Sequence, residues 1–240
     1  RLRTVTGVQT CALPISSAAL SRATDLVGYG PYLDRIPAAV GQCRHASDNR
    51  VELERARLAL KLAAEGKQVV VVSGGDPGVF AMAAAVFEAV ETGDPAWAAL
   101  DIRVEPGVTA MLAAAAEAGA PLGGDFCAIS LSDNLKSWST VERRLRAAAE
   151  ADFVIALYNP ASKARPHQLG EALALLRCHR DSGTPVLFVR AAGTQEVRIV
   201  RATLGTADAA QADMRTLVIV GASTTRTVGR WVCTPRSEAK

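Results

Sequence analysis

Four short stretches carry residue types suited to holding a ligand through the main chain. The first is Ser73-Gly74-Gly75-Asp76-Pro77-Gly78, directly after the valine run Val69–Val72. Glycines let a backbone approach a ligand with no Cβ in the way, and a helix start offers unpaired N–H groups. The others are Pro106-Gly107-Val108-Thr109-Ala110, the run from Tyr158-Asn159-Pro160 through Lys163, Arg165 and His167, and Gly193-Thr194-Gln195-Glu196. Neither GxGxxG nor GxxxxGK(S/T) is present. Asp76-Pro77 also reads as a plain helix start, with Asp as N-cap and Pro at the first helical position. On this loop alone, ligand cradle and simple turn stand as equal readings. No convincing Ser-His-Asp set or metal-ligand spacing accompanies them.

The elements that must position these loops alternate along the chain. Four consecutive valines are too apolar for a strand with one wet face, so they predict a strand buried on both sides of a parallel sheet. In an open α/β sheet the loop after such a strand lies at the carboxyl edge, where ligands bind. Strands are expected at Asp25–Tyr29 and Ile102–Glu105, with helices at about Asp48–Glu65, Val79–Thr92 and Ala110–Ala118. Ser47 or Asp48 is the expected cap of the first helix, and Val51, Leu58 and Leu62 part of its apolar face. Beyond Gly119–Gly124, the expected domain boundary, strands are predicted at Phe126–Leu131, Phe153–Tyr158, Val186–Arg190, Val197–Thr203 and Thr216–Val220. Helices are predicted at about Ser139–Glu150 and His167–Arg180. The Val186 and Val197 strands are joined too closely for a crossover helix, so this sheet need not be all parallel. The tail from Arg230 is expected to fray.

At 240 residues the chain can bury a real core. Hydrophobic residues make up 49%, yet no apolar run approaches the roughly 20 residues of a membrane helix. A net charge of +3 is too small to argue for nucleic acid. The five cysteines, Cys11, Cys43, Cys127, Cys178 and Cys233, are scattered with no CxxC. That pattern fits free thiols in a reducing cytoplasm.

As an ordered set, SGGDPGVF, PGVTA, ALYNPASKARP and GTQE resemble the tetrapyrrole methylases, and DLVGYGPYLDRIP followed by DNR strengthens the likeness. The resemblance covers essentially Ser16 to Arg226. It implies an α/β fold of two domains, each a mixed or parallel sheet flanked by helices, with the active-site cleft between them. It implies methyl transfer from S-adenosylmethionine to C-17 of a precorrin, with contraction of the macrocycle, in cobalamin biosynthesis. It further implies a cytoplasmic homodimer whose partner is a small tetrapyrrole, with no protein-held metal, nucleic acid or membrane. The expected division is 16–120 and 121–240. Arg1–Ile15 is expected to be non-native, since VTGVQTCALPI reads like a translated sequencing adapter. The family's first strand and its GxGPG-like loop are then missing or replaced, and poor solubility and low activity are expected to follow.

Carried over residue by residue, the resemblance implies donor contacts at Gly74, Gly75, Asp76, Val79, Thr109, Ala110, Tyr158, Asn159 and Gly193. A substrate bearing several carboxylates calls for a basic wall. Tyr29, Arg35, Lys163, Arg165 and His167 are its candidates, with Arg44, His45 and Arg50 nearby. Ring contraction would benefit from a proton donor or acceptor; His45, His167 and Tyr29 are the groups considered, and none is assigned. Two other readings stand: a sister methylase acting on another precorrin or uroporphyrinogen, and a non-catalytic α/β module binding a nucleotide-like ligand.

Overall fold

A computed structural model of the chain describes residues 1–6, 14–48 and 51–237. The chain divides into two compact units, Arg1–Thr109 and Ala110–Lys240.

In the first unit the order is β1 (Leu2–Thr6), α1 (Pro14–Arg22), β2 (Asp25–Tyr29), α2 (Gly30–Leu33), β3 (Cys43–Ser47), α3 (Glu52–Ala64), β4 (Val69–Ser73), α4 (Met82–Thr92) and β5 (Ile102–Val104). The strands form one parallel sheet in the order β3-β2-β4-β1-β5. Every residue of β4 is buried, as the valine run predicts. Its alternate side chains serve opposite faces. Val69 and Val71 pack with Ala56, Ala59, Leu60 and Val86 of α3 and α4. Val70 and Val72 pack with Ala19, Ala23 and Leu33 from the α1–α2 side. The connections leaving β1 and β4 run to opposite sides of the sheet, and such a reversal opens a crevice at the carboxyl edge.

Three expectations are corrected here. The sheet has a strand at Leu2–Thr6, paired in parallel with β4 and with β5, so this segment fills the interior position whose strand was expected to be missing or replaced. Buried Leu2 joins the core beside Val69 and Val71. The loop that follows, from Gly7, lies outside the described residues. The second correction concerns α3, which begins at Glu52 with no side-chain cap. Ser47 and Asp48 instead hold Arg55: Nε donates to Ser47 Oγ at 2.8 Å and Nη2 to the Asp48 carbonyl at 2.6 Å. Leu58 is exposed; Ala56, Ala59, Leu60 and Leu62 make the buried face. Finally, β3 occupies Cys43–Ser47, where only a loop was expected.

The second unit runs α5 (Ala110–Ala118), β6 (Gly119–Ala120), β7 (Phe126–Ser130), α6 (Trp138–Glu150), β8 (Val154–Tyr158), α7 (Gln168–Arg177), β9 (Pro185–Arg190), β10 (Arg198–Thr203), β11 (Thr216–Val220), β12 (Arg226–Val228) and β13 (Trp231–Cys233). Its main sheet has the order β10-β9-β11-β8-β7. β7 and β8 are parallel, β11 is antiparallel to both neighbours, and β9 and β10 pair antiparallel, as their short connection requires. The ends of β7, β8 and β9 therefore share one edge.

The break between units falls before α5 and not at Gly119–Gly124. The reason is packing: Ala114, Ala115 and Ala118 of α5 join Leu187, Val189, Leu217 and Ile219 of the second sheet. Nor does the tail fray at Arg230. β13 pairs with β12 and with β6, and Thr234 Oγ1 donates to the Pro121 carbonyl at 2.6 Å.

Candidate active site

In the first unit, Asp76 organises the carboxyl edge. It does not cap a helix: α4 starts six residues later, at Met82 after Ala81. The carboxylate accepts from Gly78 N at 2.8 Å through Oδ1 and from Gly107 N at 2.9 Å through Oδ2. One side chain thus closes its own turn and ties the loop after β4 to the loop after β5. That second loop carries Thr109, which is buried. Gly75 has φ +74, a left-handed conformation that favours glycine. Val79 is half-buried, its N–H donating to the Asp76 carbonyl at 3.2 Å. The next residue, Phe80, also has positive φ (+51) and is exposed. Such backbone in a bulky residue is uncommon and delays the start of α4.

Beside this loop, Tyr29 at the end of β2 meets Tyr32 edge to face with centroids 5.4 Å apart. Arg35 lies over the Tyr32 ring at 5.7 Å and is exposed. No carboxylate lies within ion-pair distance of Arg35 among the described residues. Arg44 and His45 have other work. Arg44 donates to the carbonyls of Leu33, Ile36 and Pro37, bracing the loop after α2. His45 Nε2 lies 2.7 Å from Asp25 Oδ1. Arg50 is outside the described residues. Arg55 is buried, and burial pushes its guanidinium down, opposed by Glu52 and Tyr32. It also reaches Met82 Sδ at 3.3 Å, clamping the start of α4.

In the second unit, Tyr158 ends β8, and its hydroxyl accepts from Met111 N at 3.0 Å, next to Ala110. Asn159 follows with φ +52, and its Nδ2 donates to Ser130 Oγ at 2.9 Å. Lys136 Nζ donates to the Ser130 carbonyl at 2.7 Å; burial, aided by Arg144, pushes its ammonium down. Ser162 and Arg165 exchange backbone hydrogen bonds at 3.1 and 3.0 Å, so Lys163 projects from the tip of a tight turn and is exposed. Arg165 Nη1 donates to the Asn159 carbonyl at 3.4 Å, so it braces the loop after β8. His167 precedes α7 without capping it, and its ring lies 3.9 Å from Glu171 on the same helix. Gly193 has φ +75 in the loop after β9. That loop is held by Thr194, which donates through Oγ1 to the Ala191 carbonyl at 2.8 Å.

Within each unit, then, the structure brings together Asp76 with the Thr109 loop, Tyr158 with the Ala110 helix start, and Asn159 with Arg165. His167 engages its own helix. Sequence reasoning missed Tyr32, Ser130 and Arg55. A second tyrosine three residues after Tyr29 was the available signal for Tyr32; the others depend on contacts distant in sequence. Among the described residues, no cluster of three or more His, Cys, Asp or Glu is placed to hold a metal.

In each unit, small residues and left-handed turns follow the strand ends, at Gly75 in the first and at Asn159 and Gly193 in the second, on an α/β fold of the methylase class. The matching family model is that of the Tetrapyrrole (Corrin/Porphyrin) Methylases, over residues 16–208, and the chain belongs to this family. It is 59% identical over 217 residues to a precorrin-3B C(17)-methyltransferase from Sinorhizobium sp, covering 90% of this chain and 85% of that protein. It is 50% identical to the cobalamin biosynthesis protein CobIJ of Mycobacterium tuberculosis over 89% of its own length, spanning 42% of that longer protein. The crystal structure of the methyltransferase CobJ superposes with a TM-score of 0.94 at 54% identity, covering 98% of this chain and 99% of that one. A uroporphyrin-III C-methyl transferase from Thermus thermophilus, solved with S-adenyl homocysteine, shares the fold at 22% identity and a TM-score of 0.68, over 92% of this chain and 97% of that one.

Proposed function

We propose that the protein transfers a methyl group from S-adenosylmethionine to C-17 of precorrin-3B, with ring contraction to precorrin-4, in cobalamin biosynthesis. The observation that carries this reading is the 59% identity to the Sinorhizobium enzyme. Identity to a cobalt-factor III C(17)-methyltransferase from Salmonella typhimurium is 41%, which favours the metal-free substrate.

The local structure fits a donor held through main-chain atoms. Asp76 engages Gly78 N and Gly107 N, so it orders two donor loops and leaves the backbone of Gly74 and Gly75, with Val79 following, to line the site. Thr109, Ala110, Tyr158, Asn159 and Gly193 complete the donor set. The donor supplies a methyl group already activated on a sulfonium, so the protein's task is proximity and orientation, with no need of a protein-held metal. Arg35 and Lys163 supply the exposed positive charge for substrate carboxylates, with Tyr29 beside Arg35. Arg165 and His167 belong to the same basic loop, Arg165 setting its shape. We take the protein to act in the cytoplasm as a homodimer without nucleic-acid or membrane partners; no described helix is long and apolar enough to cross a membrane.

The test is turnover of precorrin-3B, cobalt-factor III and uroporphyrinogen III side by side, with product masses read. Preferred methylation of precorrin-3B is expected. Preference for either other substrate assigns the protein to a sister activity, and methylation of none supports a binding module.

A further inference from the structure

Gly74 opens the donor loop, where a glycine reads most simply as room for a ligand. The structure gives that room to a side chain. A Cβ on Gly74 would lie 2.8 Å from Cζ, 2.9 Å from the hydroxyl oxygen and 3.2 Å from Cε1 of Tyr32. The backbone sets no bar of its own: Gly75, not Gly74, has the left-handed φ. The Gly74 φ lies outside the left-handed range, and what a side chain there would meet first is the phenol end of Tyr32, which would have to shift to admit it.

Tyr32 is well placed to matter. It stands on α2, a four-residue turn pinned over the sheet by buried Leu33, which packs with Val70 and Val72. One side of the ring meets Tyr29, the Arg35 guanidinium lies over it, and its phenol end lies against Gly74. The ring therefore links the segment assigned to the substrate with the loop assigned to the donor. Tyr32 is half-buried: its ring borders the core cluster of Leu26, Leu33, Val70 and Val72 on one side and the donor loop on the other.

We propose that Tyr32 is a positioning residue for methyl transfer: its ring fixes the Gly74–Asp76 loop in the donor-binding conformation, and Gly74 lacks a side chain to receive it. The proposal rests on the donor reading above.

The test is calorimetric titration of the full chain with S-adenosylhomocysteine, with thermal unfolding measured in parallel. Gly74→Ala is introduced into three backgrounds: wild type, Tyr32→Phe and Tyr32→Ala. With the ring present, in wild type and Tyr32→Phe, the methyl collides with it and affinity falls about tenfold, in the range set by overpacking. In Tyr32→Ala the collision is gone, and adding Gly74→Ala changes affinity less than about twofold. Tyr32→Ala alone weakens binding severalfold while the protein remains folded. An equal Gly74→Ala penalty in all three backgrounds overturns the proposal, because the glycine would then serve the ligand directly. Wild-type affinity in folded Tyr32→Ala overturns it as well. Failure of the wild-type chain to bind S-adenosylhomocysteine is a different result and overturns the donor reading itself.

Discussion

Asp76 and Gly107 are joined by a hydrogen bond of 2.9 Å from the Gly107 amide to the Asp76 carboxylate, across 31 residues of chain. The same carboxylate holds Gly78 N at 2.8 Å. A charged acceptor makes stronger bonds to amides than neutral pairs do, and here one bond closes the turn after β4 while the other ties that turn to the loop after β5.

Replacing Asp76 with Ala should therefore weaken S-adenosylhomocysteine binding about tenfold or more, with a stability loss of about 1–3 kcal/mol. Asp76→Asn should be intermediate, since its amide NH2 must face one of the two donors. Calorimetry on the folded variants checks this; unchanged affinity in Asp76→Ala would reduce the residue to a turn former.

The basic loop after β8 should separate into two behaviours. Lys163→Ala should raise the KM for precorrin-3B without altering S-adenosylhomocysteine affinity. The effect should shrink with added salt, because exposed charges are screened over about 8–10 Å near physiological ionic strength. Arg165→Ala frees the Asn159 carbonyl and should weaken donor binding as well as substrate binding. Equal effects of the two variants on both ligands would contradict the division of roles.

Asn159 tests backbone against side chain. Both Asn159→Gly and Asn159→Ala lose the bond to Ser130 Oγ, but only Ala must bear a left-handed φ of +52. Denaturant unfolding should find the Gly variant more stable than the Ala variant by about 1 kcal/mol. Equal stabilities would show that the backbone conformation costs nothing there.

Asp25 predicts a pH dependence of stability. Burial raises its carboxyl, but hydrogen bonds from His45 and Thr24 and the charge of Lys67 outweigh that and hold it below its ordinary value. A carboxyl depressed in the folded state contributes stability that is present above its unfolded pKa. That stability is lost as pH falls through the folded value. Asp25→Asn should lower stability at neutral pH and show a shallower loss on acidification below the usual carboxylate range. Urea unfolding at a series of pH values reads both, and parallel curves for the two proteins would contradict the assignment.

Much of this was legible in the sequence for identifiable reasons. Val69–Val72 announced a doubly buried strand because burial on both faces leaves no polar position. Thr216–Val220 and Asp25–Tyr29 were bounded by turn residues and matched the observed strands. β3 escaped because Cys43–Ser47 is an edge strand that carries Arg44 and His45 and has no apolar alternation. Asp76 stayed ambiguous locally: Asp-Pro satisfies the rule for a helix start as well as that for a ligand loop, and only the fold shows the late start of α4 and Gly107 beside it. Leu2–Thr6 was set aside with a stretch of foreign-looking sequence, yet a short β-prone segment suffices to occupy a slot between β4 and β5 when both neighbours supply backbone partners. Tyr32 over Gly74 was invisible because the contact spans two loops of different strands.

The proposed reaction is methyl transfer to one carbon of one tetrapyrrole, and the position of the transferred methyl tests it. The chain is incubated with precorrin-3B and S-adenosylmethionine labelled in its methyl carbon, and the product is examined by carbon NMR. A single labelled methyl at C-17 of a ring-contracted product is expected. Label at any other carbon, or an unaltered precorrin-3B recovered from a folded, donor-binding protein, would contradict it.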